Sequence, residues 1–454
     1  MIRSSFAARL AAVILVSGGL AACGGFSAPR LPKVFGGGEK KPRQKLKGER
    51  INVLALNDKL TPSDTLKGIG FQLPPAQPLG AWPQAGGAPD HAIEHVQAAP
   101  ELRIAWRRRF GPKPGTSGHV TAQPLVADGR IYLMDGQAGV SALDLASGRQ
   151  VWKVNLAPRK GRDREGYGGG IAFSDGKVFV TSGFRFVAAL NAADGATVWR
   201  KDLSTPVRGA PTVSGGRVFA VDTTDQLLSF AAGDGAPGWT YQALEEPARL
   251  LRASSPAVSG ETVVAPFASG ELTALQAGNG TELWSFVLSL TNRNNALSEI
   301  RDIAGRPVIY RGDVLAGSHS GVFAAVDLRS GQPRWSLPIA TTTSPWPAGD
   351  VIYVVDQGGQ LVCISREAGR VYWVVELNKG VVAKKRPIWS GPVLVSDRLV
   401  TVSSAGELRA LDPKDGKLIK SLNLRAKVGA LAAPVPVDGQ LLIATEEAEL
   451  ISVR

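Results

Sequence analysis

One motif recurs along most of this 454-residue chain and limits what the chain can fold into. It consists of a small residue, a glycine six positions later and a tryptophan four positions after the glycine, as in Ala142, Gly148 and Trp152. Complete copies end at Trp152, Trp199, Trp239, Trp284, Trp335 and Trp373, and a seventh copy has Lys420 in the tryptophan position. Neighbouring copies are 38 to 51 residues apart. This spacing is typical of propeller blades and exceeds the roughly 33–34 residues of ankyrin or tetratricopeptide repeats.

Each repeat also has the pattern of consecutive β-hairpins. In the first copy, the turn signal Asp128-Gly129 is followed by the apolar run Ile131–Met134 and then by the run Val140–Asp144. Short apolar runs divided by Asp-Gly, Ser-Gly or Gly-Gly pairs predict strands joined by tight turns. We expect four short strands in each repeat and no helices, because no 3.6-residue periodicity is present.

The three motif positions have separate physical reasons. We expect the glycine in the turn between the third and fourth strands, where a positive φ is needed. The small residue leaves room for the tryptophan, which we expect to lie across the neighbouring blade and to donate its indole N–H to a backbone carbonyl. Cys363 occupies the small-residue position of its repeat, which favours a buried core residue over a reactive thiol.

The two ends of the repeat region complement each other. The eighth unit begins at Ala433 and runs to Arg454 without a fourth strand or a tryptophan. A single strand, Leu102–Trp106, precedes the first full repeat, and Trp106 is in phase with the later tryptophans. Supplying this strand to the last blade predicts an all-β, eight-bladed β-propeller of four-stranded blades over residues 81–454. Closing the ring in this way removes exposed sheet edges.

The first 22 residues predict a secretory signal peptide. Arg3 and Arg9 are followed by the apolar run Leu10–Val16, which is too short for a membrane-spanning helix. The sequence Leu20-Ala-Ala-Cys23 resembles the bacterial lipobox, in which the cysteine is acylated; the alternative is an ordinary cleavage site with a chance cysteine. Because Gly24 follows instead of aspartate, the resemblance implies an anchor in the outer membrane, facing the periplasm.

Residues 23–80 are expected to form a tether between this anchor and the propeller. Eight lysines and arginines from Arg30 to Arg50 lie among glycines and prolines. Such a composition predicts a solvated flexible linker, and the alternative is a segment that lies on anionic headgroups. The short apolar piece Ile51–Leu56 is either an isolated strand or a docking peptide.

The residue types that carry most enzyme chemistry are scarce. The two cysteines, Cys23 and Cys363, exclude a disulfide framework and multi-cysteine metal sites. Four histidines occur, at His91, His95, His119 and His319, and the first two lack the third ligand and the helix that a zinc site needs. We therefore predict no catalytic residue, no metal and no cofactor. A chain with a lipobox is also not expected to meet nucleic acid, despite its net charge of +13.

The repeats resemble those of the quinoprotein (PQQ-type) propellers, and Trp82-Pro-Gln-Ala-Gly-Gly resembles the way such domains begin. The resemblance leaves a periplasmic quinoprotein dehydrogenase as the alternative function. Enzymes of that superfamily commonly use a vicinal disulfide and Ca²⁺ at the cofactor, and this chain has neither adjacent cysteines nor a Cys-x-x-Cys-His haem motif.

Within that superfamily, a lipobox, a tether and a bare propeller resemble the BamB family of lipoproteins, which belong to the outer-membrane β-barrel assembly machinery. The resemblance covers roughly residues 80–454. It implies a non-enzymatic scaffold subunit that binds the periplasmic domains of the central, BamA-like barrel subunit. Nascent outer-membrane proteins are a further partner that the resemblance leaves open.

Two loop motifs of that family have counterparts here, and the resemblance implies that they bind the barrel subunit. Leu250, Leu251 and Arg252 match a leucine-rich segment that ends in arginine. Glu299 and Asp302 match an acidic pair, but they are three residues apart where the family pattern separates two aspartates by one residue. The alternatives are core packing for the leucines and a turn cap or local ion pair for Asp302. Both motifs are predicted in adjacent inter-blade loops, flanking the fourth blade.

Overall fold

The computed structural model describes residues 60–112, 119–158, 166–246, 250, 254–288, 300–428 and 433–454. These residues belong to one compact unit, Leu54–Arg454. The signal peptide, Cys23, the basic part of the tether and Ile51–Leu56 lie outside the described residues. Within the described ranges the protein has thirty-two β-strands, two short 3-10 turns at Asp64–Leu66 and Ala383–Lys385, and no α-helix.

The strands form eight separate four-stranded antiparallel sheets, which confirms the predicted eight-bladed propeller. Blades 1 to 4 comprise β2 (Leu125–Ala127), β3 (Arg130–Met134), β4 (Gly139–Asp144) and β5 (Gln150–Asn155); β6 (Gly169–Ser174), β7 (Lys177–Ser182), β8 (Phe186–Asn191) and β9 (Thr197–Asp202); β10 (Thr212–Ser214), β11 (Arg217–Val221), β12 (Gln226–Ala231) and β13 (Pro237–Gln242); and β14 (Ala257–Ser259), β15 (Thr262–Pro266), β16 (Glu271–Gln276) and β17 (Glu282–Val287).

Blades 5 to 8 follow the same order, except that the last blade takes its fourth strand from the start of the propeller. They comprise β18 (Val308–Tyr310), β19 (Asp313–Gly317), β20 (Phe323–Asp327) and β21 (Pro333–Leu337); β22 (Trp346–Ala348), β23 (Val351–Val355), β24 (Gln360–Ser365) and β25 (Val371–Glu376); β26 (Trp389–Val395), β27 (Arg398–Ser403), β28 (Glu407–Leu411) and β29 (Leu418–Asn423); and β30 (Val435–Val437), β31 (Gln440–Ala444), β32 (Glu449–Val453) and β1 (Ile104–Arg109).

The ring closes through the pairing of β1 with β32. Their ladder runs antiparallel from Ile104 opposite Val453 to Arg109 opposite Glu449. Beyond the ladder, the Arg454 N–H donates to the Arg103 carbonyl over 2.8 Å. The predicted closing strand is therefore confirmed, although β1 begins two residues later than the apolar run that indicated it.

The repeat motif joins each blade to the next. Within a blade, the small residue lies opposite the tryptophan, as Ala189 does opposite Trp199. The indole then reaches into the following blade and donates to the carbonyl three residues beyond that blade's own small residue. These bonds run from Trp152 to Ala192 (2.9 Å), Trp199 to Ala232 (3.2 Å), Trp239 to Ala277 (3.0 Å), Trp284 to Leu328 (2.8 Å) and Trp335 to Arg366 (2.7 Å).

Two separate features of the structure require glycine at this position of the motif. Gly235 has a φ of +71°, and a Cβ atom there would lie 2.6 Å from Cε3 of Trp199 in the preceding blade. The turn therefore needs a residue that accepts a left-handed conformation and leaves room for an indole. The sequence indicates only the first of these requirements.

The exceptions to the tryptophan pattern occur around the closing blade. The indole nitrogen of Trp373 has no hydrogen-bond partner. The equivalent carbonyl, that of Pro413, accepts the Tyr353 hydroxyl. Lys420 replaces the tryptophan of blade 7, and its ammonium group donates to the Glu101 carbonyl just before β1 over 2.6 Å. In blade 8 no turn joins the third strand, β32, to the fourth strand, β1. The turn carbonyl that would accept an indole N–H from blade 7 is therefore missing. The Trp106 indole nitrogen is also buried without a hydrogen-bond partner.

Residues 77–99, here called the inner segment, contact the innermost strand of every blade or the turn that follows it. The innermost strands would otherwise present unpaired edges to the axis of the ring. The contacts are Val126 N to Trp82 O (2.9 Å), Phe173 N to Pro83 O (2.7 Å), Val213 N to Gln84 Oε1 (2.9 Å), Val258 N to Pro89 O (2.7 Å), Ile309 N to Asp90 O (2.9 Å), Trp346 Nε1 to Glu94 O (2.6 Å), Val96 N to Leu394 O (3.1 Å) and Ala99 N to Gly439 O (2.9 Å).

The described end of the predicted tether lies against the propeller. The Ser63 N–H donates to the Val371 carbonyl over 2.8 Å, and the rings of Phe71 and Tyr372 have centroids 4.7 Å apart. These contacts lie on β25 of blade 6. The boundary between tether and propeller at residue 80 stays a prediction.

Candidate partner-binding site and central cavity

The two predicted loop motifs are in direct contact where the structure describes them. The Leu250 N–H donates to Oδ2 of Asp302 over 3.0 Å, so the loop before blade 4 is bonded to the loop before blade 5. Leu250 is half-buried, and Asp302 is only 5% exposed. Leu251, Arg252 and Glu299 lie outside the described residues, so their predicted roles stay predictions.

Asp302 accepts hydrogen bonds from the backbone of two other segments, as a capping residue does. Its side chain accepts the Leu250 N–H, and its carbonyl accepts the His319 N–H over 2.9 Å. A hydrogen bond to a charged acceptor contributes about 1.5–3 kcal/mol, so this carboxylate helps to hold the backbone at Leu250. The geometry supports the capping alternative for Asp302 and also brings the two candidate motifs to one place.

A small pocket lies beside this contact, and three carboxylates line it: Asp222, Asp225 and Asp302. Asp225 is 2% exposed and accepts the Ala268 N–H over 3.0 Å, so it holds the turn between the second and third strands of blade 4. Arg208 lines the same pocket. Charged side chains of both signs therefore lie next to the contact between Leu250 and Asp302.

A larger cavity of about 90 Å³ lies at the centre of the ring. Its walls are the residues that lead into the innermost strands, and Trp82, Gly86 and His91 of the inner segment also line it. Arg208 lines this cavity as well as the small pocket, so the two spaces are neighbours.

Two basic side chains of the cavity have strongly perturbed pKa values. Burial lowers the pKa of Arg306 to about 10. Burial, with a further contribution from the nearby Arg306 charge, lowers the pKa of His91 to about 3. Nδ1 of His91 lies 2.7 Å from the Pro307 carbonyl, which can only accept, so Nδ1 carries the proton of a neutral ring.

Arg306 was not among the residues that the sequence indicated, although a signal exists. In every blade except blade 2, a proline begins the innermost strand region. The residue before that proline lines the cavity. That residue is small in most blades, as with Ala210, Ser255, Gly391 and Ala433, but it is arginine in blade 5. An alignment of the repeats against one another would have shown this exception.

The histidines that were considered as zinc ligands are structural. The His95 ring accepts the Asp397 N–H at Nε2 over 2.9 Å and contacts the Pro74 carbonyl through Nδ1 at 2.7 Å. Among the described residues, no group of three or more His, Cys, Asp or Glu side chains is arranged to hold a metal ion. Cys363 is fully buried opposite Trp373, and burial raises the pKa of its thiol. Over the same part of the chain, no helix has the length and apolar character needed to cross a membrane.

Comparison with known proteins gives consistent results at the level of sequence and fold. A family model described as "Outer membrane protein assembly factor BamB" matches residues 103–158 and 136–375. The BamB protein of Escherichia coli strain K12 is 28% identical over 391 residues, which cover 77% of this chain and 88% of that protein.

Solved structures extend the comparison. BamB from Moraxella catarrhalis has a TM-score of 0.67 at 18% identity and covers 77% of this chain and 99% of its own. Quinohemoprotein alcohol dehydrogenase from Comamonas testosteroni has a TM-score of 0.61 at 16% identity, covering 82% of this chain and 80% of its own. At these identities the likeness concerns the fold alone, and the same ring serves an assembly factor and an enzyme.

Proposed function

Since the chain belongs to the BamB family of outer membrane protein assembly factors, we propose that its propeller is a non-enzymatic scaffold that binds the central barrel subunit of the assembly machinery. The proposed contact is the surface formed by the loops around Leu250–Arg252 and Glu299–Asp302. The observation that carries it is the 3.0 Å bond between Leu250 and Asp302, which joins the two loops into one surface.

The surface has the properties of a protein-binding site. A partner contact gains most from a preorganised loop, because the entropy of ordering that loop is then not lost on binding. Asp302 accepts the Leu250 N–H, and Leu250 is half-buried. Leucine and arginine at the centre of such a patch would give the partner an apolar anchor and a charge-assisted hydrogen bond.

The test is co-purification from detergent-solubilised outer membranes with the full lipoprotein as bait. The Asp302→Ala variant removes the loop cap, and Asp135→Ala is the matched control. Asp135 is also 5% exposed, and it accepts the Gly139 N–H over 2.8 Å in blade 1. We expect wild type and Asp135→Ala to recover a large barrel protein with soluble repeat domains, and Asp302→Ala to lose at least tenfold of it.

A second variant separates binding from folding. Leu250→Ala keeps the backbone N–H that Asp302 accepts, and it should weaken recovery without lowering the unfolding temperature. If Leu250→Ala and Asp302→Ala both recover the barrel protein as wild type does, this surface is not the contact. If wild type recovers no barrel protein, the scaffold proposal itself fails.

Membrane attachment is the second part of the proposal. We place the protein at the periplasmic face of the outer membrane, anchored through acylated Cys23. The support is the lipobox-like sequence that ends at this cysteine. Cys23→Ser should move the protein from the membrane pellet to the soluble fraction, and continued retention in the pellet after a salt wash would contradict the anchor.

The outermost strands favour a second binding function, toward nascent outer-membrane proteins. Val151, Val198 and Leu283 on three different outermost strands are each about half exposed. An outermost strand has an unpaired edge, so an incoming strand can add to it and cover these side chains. Photo-crosslinkers at these positions should capture unfolded barrel substrates, and uniform absence of such crosslinks would refute this function.

A further inference from the structure

The central cavity contains a positive charge that the described protein does not neutralise. No Asp or Glu is among the described residues that line it, whereas Arg208 and Arg306 are. The Arg306 guanidinium makes no ion pair within the described ranges, and its Nε is buried without an acceptor. A desolvated charge without a partner is unfavourable, and proteins normally pair such a group.

The geometry of blade 5 presents this charge to the cavity. The Arg306 N–H donates to Oγ of Ser344 over 3.0 Å, which fixes the backbone at the entrance to β18. The side chain lies deep in the protein but keeps some accessible surface, because it borders the cavity. The corresponding position of most other blades has a small residue, so those positions place no long side chain in the cavity.

The remaining walls are suited to a small polar ligand. Ser255 and Ser344 line the cavity, and the Ser344 hydroxyl accepts the Arg306 N–H while keeping its own proton to donate. Trp82 and Trp346 stack at 6.5 Å with an interplanar angle of 9° and form part of the wall. The volume of about 90 Å³ exceeds what a single water molecule needs, so a ligand of several non-hydrogen atoms has room.

We propose that the central cavity binds a small oxyanion, a carboxylate or a phosphate, through the Arg306 guanidinium. Arginine presents paired N–H donors that match the two oxygens of either group. The Ser255 and Ser344 hydroxyls would supply further hydrogen bonds. His91 stays a neutral wall residue and adds no charge to the site. The anion proposal does not rest on the partner-binding function proposed above, although Arg208 lines both the cavity and the pocket beside Asp302.

The experiment measures the unfolding temperature of the purified full-length protein at constant ionic strength. Sodium chloride is replaced stepwise by sodium acetate in one arm and by inorganic phosphate in the other. We expect a concentration-dependent rise of several degrees with at least one anion, and the stronger arm identifies a carboxylate or a phosphate site. The absence of a rise with both anions would overturn the proposal.

Three variants assign the effect to the cavity. Arg306→Met should abolish the anion-dependent rise, and Arg306→Lys should keep a weaker one. Arg329→Met, which removes an exposed arginine of the same blade, should respond as wild type does. If Arg306→Met keeps the full rise, the anion binds elsewhere and the assignment is wrong. If Arg306→Met does not fold, loss of the rise in Arg306→Gln decides the question in the same way.

Discussion

The contact between each motif glycine and the tryptophan of the preceding blade can be tested with two alanine substitutions that share one backbone cost. Gly235 and Gly129 both have a φ of +71°. An L-residue in this conformation costs about 1–2 kcal/mol. A Cβ at Gly129 would have nothing within 4 Å, whereas a Cβ at Gly235 would lie 2.6 Å from Trp199. Only Gly235→Ala therefore displaces an indole.

The displacement of the indole determines how much more Gly235→Ala lowers the free energy of unfolding than Gly129→Ala does. Overpacking of a tight contact costs about 1–3 kcal/mol. Shifting Trp199 also strains its bond to the Ala232 carbonyl, which contributes about 1 kcal/mol. Gly129→Ala should thus lower the free energy of unfolding by about 1–2 kcal/mol, and Gly235→Ala by about 2–4 kcal/mol more than that.

Chemical denaturation followed by circular dichroism measures both variants, and tryptophan emission reports whether the indole environment changes. If the free energy of unfolding depends on denaturant concentration with the same slope in both variants as in wild type, the comparison reflects stability. If the two variants lose the same free energy within about 0.5 kcal/mol, the tryptophan does not join the blades as the structure indicates.

Three further predictions follow from individual side chains. Trp284→Phe should cost about 1 kcal/mol more than Trp373→Phe in the same denaturation assay, because the Trp284 indole has a carbonyl partner and the Trp373 indole has none; equal losses would contradict this. Since the folded-state pKa of His91 is about 3 and its ordinary value is 6.5, the unfolded state alone binds a proton between these values. The neutral His91 ring therefore contributes its full stabilisation above pH 6.5, and this contribution falls by at most about 1.4 kcal/mol per pH unit below that pH. The His91→Gln variant should lack this part of the pH dependence when its free energy of unfolding is measured in an acid titration. The buried Cys363 thiol should react with a thiol reagent only at the rate of unfolding, and rapid labelling in native buffer would contradict its burial.

The ring architecture could be predicted from the sequence because the same motif occurs in seven successive repeats. Each copy of the motif supplies a turn, a strand pair and an inter-blade contact, and the phase of Trp106 indicates the closing strand. Lys420 was visible as an exception, but its reason was not. That reason depends on the absence of a turn between β32 and β1, which is a property of the closed ring.

The inner segment could not be predicted, because it occurs once and binds mainly through backbone groups. Trp82 was noted only as the opening of the domain, whereas it lines the central cavity and pairs with Val126. The partner-binding residues stay a prediction, and the structure describes only the contact between Leu250 and Asp302. The adjacency of the two loops follows from blade order, but the burial of Asp302 depends on a bond between residues 52 positions apart.

The pairing of β1 with β32 has a kinetic consequence. The closing blade joins Arg109 to Glu449, so its formation closes a loop of about 340 residues. The conformational entropy of bringing such distant segments together corresponds to about 5 kcal/mol, and contacts of this range slow folding. A chain that emerges from its N-terminus first must keep β1 unpaired until the last blade is available. The outermost strand of that blade is thus the natural last step of folding, and delaying it keeps the chain open until its full length is present.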